Sequence, residues 1–444
     1  MPGAPGMPSP RRCPRPHESR GNTSMRSRLG ATAVAVTACV CAAALLAPTG
    51  AQAAPHDPHR EHHGKKPGAR HTVRLSQGAD GASDAPSLSA DGRYAVFTSS
   101  ASNLVPDDTN GAPDVFLRDL RTGRTQRVST DAAGGQSGLG GTEGAISANG
   151  RYVVFVSAST DLIPGEVHDK QSVYWRDLRT GEVRYVGNDL GNYLTRALHA
   201  SVSADGRYVA FAVSETVPRP GASVAVRDMR TGELTKHPFT LHRATRPLLS
   251  DDGSVMVYTN SSYWPYDNPA SDVKVADPLT GTHRSLHTTP DGARGNGRAS
   301  QAGISGNGRY ASFTSTSTDL GPEDTNGDGS NVFVRDLRTD ALRIVEAPDP
   351  ALSTADGALS RNGRYLLFQA FAGTSDPGTW YLRDLRNGRT RVAITDAAGT
   401  PVQADTGDRP LDARARTVAF SSTADNLAPG PRSPKADAYV RRLR

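Results

Sequence analysis

Residues 89–98 read SADGRYAVFT, and the same phrase returns down the chain. It recurs as SANGRYVVFV at 147–156, SADGRYVAFA at 203–212, SDDGSVMVYT at 250–259, SGNGRYASFT at 305–314 and SRNGRYLLFQ at 360–369. A seventh copy, DARARTVAFS at 412–421, has lost the glycine and the tyrosine. Successive copies begin 47 to 58 residues apart, a period that marks propellers and solenoids.

Each copy resolves into four strands. In the first, residues 86–89 form a short strand and Asp91-Gly92 is a hairpin signal. Residues 94–99 are rich in aromatic and β-branched side chains and form the second strand. After a long loop, residues 115–120 form the third; Arg121-Thr-Gly123 turns the chain into a fourth at 125–129. Four antiparallel strands per repeat make a propeller blade. The last copy ends as AYVRRLR at 438–444, one strand short, while HTVRLS at 71–76 matches the fourth strands of other copies. The N-terminal strand is therefore expected to complete the last blade. The fold class is all-β: a seven-bladed β-propeller of four-stranded antiparallel blades, closed so that no long edge is left unpaired.

The chain before residue 71 reads differently. Met25-Arg-Ser-Arg-Leu-Gly opens a basic segment, an apolar run follows from Ala31 to Pro48, and Ala51-Gln-Ala53 is a small-x-small site. This is the pattern of a secretory signal peptide, so residues 1–53 are read as an N-terminal extension and signal, with Met25 the expected start. Cys39 loosely fits a lipid-attachment box, but the apolar run continues past it, against an anchor there. All three cysteines (Cys13, Cys39, Cys41) precede residue 54, so cleavage leaves no disulfide. The first 53 residues carry six arginines and one glutamate, so the chain's formal charge of +6 leaves +1 for the remainder. A chain of that balance gives no reason to expect nucleic acid as a partner. Residues 54–70 are a polar linker in which His56, His59, His62 and His63 are read as solvated rather than as metal ligands. No later stretch is long and apolar enough to span a membrane. The molecule is expected to be secreted or extracytoplasmic, and a monomer.

In a propeller the turns joining strands one–two and three–four share one face, and here they are tight. The other face carries long, varied loops, where function on repeat scaffolds usually resides. Tyr263, Trp264 and Tyr266, in the long loop of blade four, are the candidate binding aromatics. Asp324, Asn326, Asp328 and Asn331 in blade five alternate like the opening of a calcium loop. The closing glutamate is missing, since the twelfth position is Arg335, and a polar turn reads the same way. Asp108, Asn110 and Asp114 offer a thinner version in blade one. The recurring Arg-Asp pairs (Arg118-Asp119, Arg176-Asp177, Arg227-Asp228, Arg335-Asp336, Arg383-Asp384) end the third strands. They are read as structural, with Asp accepting turn amides and Arg pairing across strands. No nucleophile elbow, zinc-protease or phosphate-loop motif occurs. His199, His237, His242, His283 and His287 are read as solvated loop histidines.

The blade pattern S-x-[DN]-G-R-Y followed by R-D-x-x-T-G resembles the TolB-like family of WD-type propeller repeats over residues 85–444. The resemblance implies a propeller and an extracytoplasmic protein-binding role. TolB-like proteins carry an α/β domain before the propeller, for which the 17 residues between 54 and 70 leave no room. The expected function is that of an exported scaffold, without catalysis, binding a protein or cell-envelope glycan through its long-loop face. The alternative is a propeller enzyme, a glycan lyase or hydrolase, with its site at the channel mouth. A pocket there holding a histidine and two carboxylates within hydrogen-bond reach would favour the enzyme, and a broad, shallow surface with exposed aromatics the binder.

Overall fold

The computed structural model describes residues 71–443 apart from 188–194, 216–220, 238–241, 263–270, 322–325, 328, 374, 432 and 434. The described residues form strands and turns with no helix, and thus none long and apolar enough to cross a membrane. Residues 1–70, with the signal segment, Cys39 and the histidine-rich linker, lie outside them.

The chain is a propeller of seven four-stranded antiparallel blades. In blade one the strands Ser83–Leu88, Tyr94–Ser99, Asp114–Asp119 and Thr125–Arg127 pair in order outward from the channel. Blades two to six repeat this plan, and a single parallel bridge, Ala222↔Arg243, joins blades three and four. In blade seven the innermost segment is held by the bridges Asp405↔Ser421 and Leu411↔Val418. The strands Thr417–Ser422 and Asp437–Arg442 follow, and the outermost place is taken by Thr72–Arg74. Thr72 faces Arg441 and Arg74 faces Tyr439, so the expected ring closure is present.

The phenylalanine of six of the seven markers sets the core, with Tyr258 in its place in blade four. Phe97, Phe155, Phe211, Phe313, Phe368 and Phe420 are all buried. Most stack on an aromatic of the third strand, as Phe97 does on Phe116 and Phe420 on Tyr439. Burying each such ring contributes about 2–3 kcal/mol. The cores lie between blades: Val96 and Val115 of blade one pack with Ile146, Phe155 and Tyr174 of blade two.

The Arg-Asp pairs hold the structural role read from sequence. Each Asp takes a salt bridge from the arginine of its own Gly-Arg-Tyr marker, 2.8 Å for Arg93–Asp119 and 2.7 Å for both Arg207–Asp228 and Arg309–Asp336. It also caps the following turn, as Asp119 Oδ1 does by accepting from Arg121 N at 2.9 Å. The guanidinium, helped by the turn amides and opposed by partial burial, holds Asp119, Asp177, Asp228 and Asp336 below the usual carboxylate range. Because these folded values are depressed, the stability they contribute is fully present above about pH 4 and is lost as pH falls through them. The Arg of the pair reaches the preceding blade in four of the five: Arg176 donates to Thr130 O, Arg227 to Val186 O, Arg335 to Thr288 O and Arg383 to Glu346 O.

Candidate functional site

The innermost strands line the channel, and they are longer than the sequence reading allowed. Blade one's runs Ser83–Leu88, not 86–89. In blades one to six each innermost strand contains a register shift, between Asp84 and Ser87 in blade one and between Thr142 and Ala145 in blade two. Such a bulge adds a residue, breaks the alternation of faces and re-aims a side chain.

Five residues at these bulges stand in left-handed backbone: Glu143 (φ 54°), His199 (41°), Arg246 (52°), Gln301 (55°) and Asp356 (57°). None is glycine, so each holds a conformation costing about 1 kcal/mol or more. All five stand four residues before the first residue of the marker. That column reads Ala85, Glu143, His199, Arg246, Gln301, Asp356 and Asp408 around the ring. The next column holds Pro86, Gly144, Ala200, Pro247, Ala302 and Gly357, small or rigid residues that leave room for the bulge, and then Arg409.

These side chains surround a pocket of about 400 Å³ in the long-loop half of the channel, with Asp84, Glu143, His199, Arg246 and Asp408 in its wall. Gln301 and Asp356 line a smaller recess that shares Arg246 and Asp408 with it. His199 Nδ1 lies 3.4 Å from Glu143 Oε2, and the same oxygen accepts from His199 N. Asp84 stands across from Glu143: loss of water and then the Glu143 charge raise it above the usual carboxylate range. Burial likewise raises Asp356, against the attraction of Arg246. Gln301 joins the ring by donating to Asp356 Oδ1 and accepting from Thr314 Oγ1 at 2.7 Å. Arg246 is exposed to the pocket and makes no hydrogen bond or ion pair of its own among the described residues.

Two arginines close the far end. Arg409 donates to Ile304 O at 2.6 Å and to Leu249 O, tying blade seven to blades five and four. Burial, and then repulsion from Arg361, pushes its pKa down to about 10. Arg361 pairs with Asp251 of blade four and donates to Leu88 O of blade one at 3.3 Å. The pocket is therefore blind.

Of the sites expected from sequence, Tyr263, Trp264 and Tyr266 lie outside the described residues, as do Asp324 and Asp328. Asn326 and Asn331 are described, and each donates its Nδ2 to the other's Oδ1 at 3.0 Å. Blade one shows a related loop: Arg127 Nη1 sits 3.3 Å from Asp108 and 3.2 Å from Asp114. Blade five has Ile344 facing Phe333 where blade one has Arg127 facing Phe116, and Asn331 opens its third strand where Asp114 opens that of blade one. The cation and one anion are exchanged together.

Two of the histidines depart from the expectation of solvated loops. His237 and His287 are buried. His287 Nε2 lies 2.6 Å from Ser317 Oγ, and burial pushes its imidazole down to about 4, so it packs neutral. His242 and His283 begin strands. Among the described side chains of the five, His199 lines the channel pocket.

The chain matches no protein-family model and no curated protein sequence. Among solved structures, an oligogalacturonate lyase in complex with manganese is similar at a TM-score of 0.56 and 13% identity, over 85% of this chain and 98% of that one. An oligogalacturonate lyase from Vibrio parahaemolyticus gives 0.58 at 13% identity, over 84% and 93%. TolB from Acinetobacter baumannii covers 70% of this chain and 62% of its own at 14% identity, but its TM-score of 0.39 is too low to argue from. At such identities the likeness is one of fold.

Proposed function

We propose that the protein is exported and binds a cell-envelope glycan in the long-loop half of its channel. One observation carries the ligand: five successive blades hold a polar side chain, in left-handed backbone, at one level around the channel, Glu143, His199 and Arg246 in the wall of the blind pocket and Gln301 and Asp356 in the recess beside it. Backbone strain of this kind clusters at ligand sites. The ring alternates in chemistry. The carboxylates of Asp84, Glu143, Asp356 and Asp408 accept, Arg246 donates, and His199 and Gln301 can do both. A sugar hydroxyl also gives and takes a hydrogen bond, and a pocket of about 400 Å³ is in the range of small-ligand sites. A protein partner, the other ligand class expected from sequence, gains little from a narrow blind hole. Export rests on the sequence of residues 25–53.

Calorimetry with soluble envelope glycan fragments tests this reading. Glu143→Gln and Arg246→Ala are each expected to weaken binding about tenfold, the loss of one hydrogen bond to a charged group. The melting temperature of Arg246→Ala should hold or rise, because that side chain bridges no blades, and that of Glu143→Gln should stay near the wild type, because the amide oxygen can still accept from His199 N of the next blade. Absence of binding, or equal binding by the variants, would overturn it.

The second reading is a glycan lyase or hydrolase, favoured by the His199–Glu143 contact, which supplies a base and a carboxylate to orient it. New chain ends released from the bound glycan, and lost in His199→Ala while binding persists, would establish the enzyme. Recovery of the glycan intact would leave the binder.

A calcium ion held by Asp324, Asn326, Asp328 and Asn331 is a separate proposal. It requires Asn326 and Asn331 to release each other, turning both carboxamide oxygens toward the ion. Excess chelator would then lower the melting temperature by several degrees. An unchanged melting temperature assigns the two amides to closing the loop.

A further inference from the structure

The seam between blades seven and one departs from the others at three places, and all three meet in one cavity. In four blades the tyrosine of the marker lies against the turn of the next blade. A Cβ on Gly150 would stand 2.8 Å from Tyr94, on Gly206 2.3 Å from Tyr152, on Gly253 2.4 Å from Tyr208 and on Gly363 2.6 Å from Tyr310. Blade seven has Thr417 at that position, so no ring fills the groove toward the Asp91-Gly92 turn of blade one. A cavity of about 390 Å³ lies there instead.

The second departure is in charge. Thr417 pairs across the sheet with Arg442 just as Tyr94 pairs with Asp119. Where the marker arginine of other blades meets a carboxylate, Arg416 therefore has a second arginine beside it. The Arg442 guanidinium makes no hydrogen bond or ion pair among the described residues. The third departure is a missing tie. In blades two, three, five, six and seven the third-strand arginine donates to the preceding blade, as Arg335 does to Thr288 O and Arg441 to Thr395 O. Arg118 of blade one turns instead to Thr125 Oγ1 of its own blade, at 2.7 Å, and lines the cavity.

His71, Arg118, Arg416 and Arg442 thus share the wall with two carboxylates, Asp91 and Asp412. Both are engaged in their own turns. Asp412 Oδ1 accepts from Arg414 N at 2.8 Å and Arg416 N at 3.0 Å, with its Oδ2 3.6 Å from Arg416 Nε. Asp91 Oδ1 accepts from Arg93 N at 2.9 Å and from Ser89 Oγ at 2.6 Å.

We propose that this seam binds a small acidic ligand, a carboxylate or phosphate carried on a ring-sized body. The ring takes the place of the missing tyrosine, and the anion meets Arg442, Arg416 and Arg118, whose guanidinium forks suit either oxyanion. The site lies on the short-turn face and is independent of the channel pocket.

Calorimetric titration of the purified full chain with phenyl phosphate, benzoate, phenol and inorganic phosphate tests it. Phenyl phosphate or benzoate should bind one per chain, and phenol and inorganic phosphate much more weakly. Arg442→Asp and Thr417→Tyr restore what other blades carry at these positions and are expected to fold. Each should weaken the acid about tenfold or more, while Arg246→Ala in the channel should leave it unchanged. The proposal is overturned if neither acid saturates, if phenol or inorganic phosphate binds as tightly, or if both seam variants bind like the wild type.

Discussion

Arg74→Met is expected to lower the unfolding free energy by about 3–5 kcal/mol, the range found when one partner of a buried ion pair is removed. Arg74 Nε lies 3.1 Å from Asp437 Oδ2, and their side chains are 2% and 1% exposed. The same guanidinium donates to Gly430 O at 2.9 Å and to Pro431 O. Asp437 in turn accepts from Ser76 Oγ at 2.7 Å and Ser433 N at 3.1 Å. One arginine therefore fastens the N-terminal strand to the C-terminal one and to the loop before it. Methionine fills part of the volume but leaves a carboxylate buried without its cation. Denaturant unfolding of Arg74→Met and of the double variant with Asp437→Asn checks the cause. The double variant should recover much of the loss; if it does not, the charge is not what fails.

Arg409→Met is expected to cost about 2 kcal/mol, again by denaturant unfolding. Its guanidinium satisfies two carbonyls on blades four and five, and charge-assisted bonds of this kind contribute about 1.5–3 kcal/mol each. Water entering the opened channel and relief of the repulsion from Arg361 offset part of this. A loss as large as that of Arg74→Met would mean that blades four and five depend on the plug for their packing. No loss would mean that water replaces it fully.

Much of the fold was legible because the marker is a mechanical unit. Its serine, Asp or Asn, glycine, arginine and tyrosine each make a contact that recurs from blade to blade. Ser89 Oγ accepts from Tyr94 N and donates to Asp91 Oδ1, and Ser147, Ser203, Ser305 and Ser360 repeat the pair of bonds. The degenerate seventh copy keeps the turn without its glycine, since Ala415 takes φ 48°. The split copy likewise announced the closure that Thr72–Arg74 performs.

The channel site was not read, although its column stands in the sequence. Strand patterns are read by alternation of faces, and a bulge resets that alternation at Asp84 and its counterparts. Residues such as Glu143 and Asp356 then fall outside an apparent four-residue strand and pass for loop polarity. Reading backward four places from each serine finds them, because the small residue after each one makes room for the bulge. His237 and His287 misled for the opposite reason: as neutral imidazoles they are apolar enough to pack.

Closure by the first strand also sets the order of folding. Residues 72–74 reach their partners only when residues 439–441 exist, so the final contact joins points 367 positions apart in sequence. Bringing such ends together costs roughly 5 kcal/mol of chain entropy beyond the fixed term, and contacts of this span slow folding. For a chain delivered N-terminus first, six blades can stack while the seventh waits. Its two neighbours then show open flanks until the last strand arrives, making late synthesis the interval in which two nascent copies are most able to exchange their first strands.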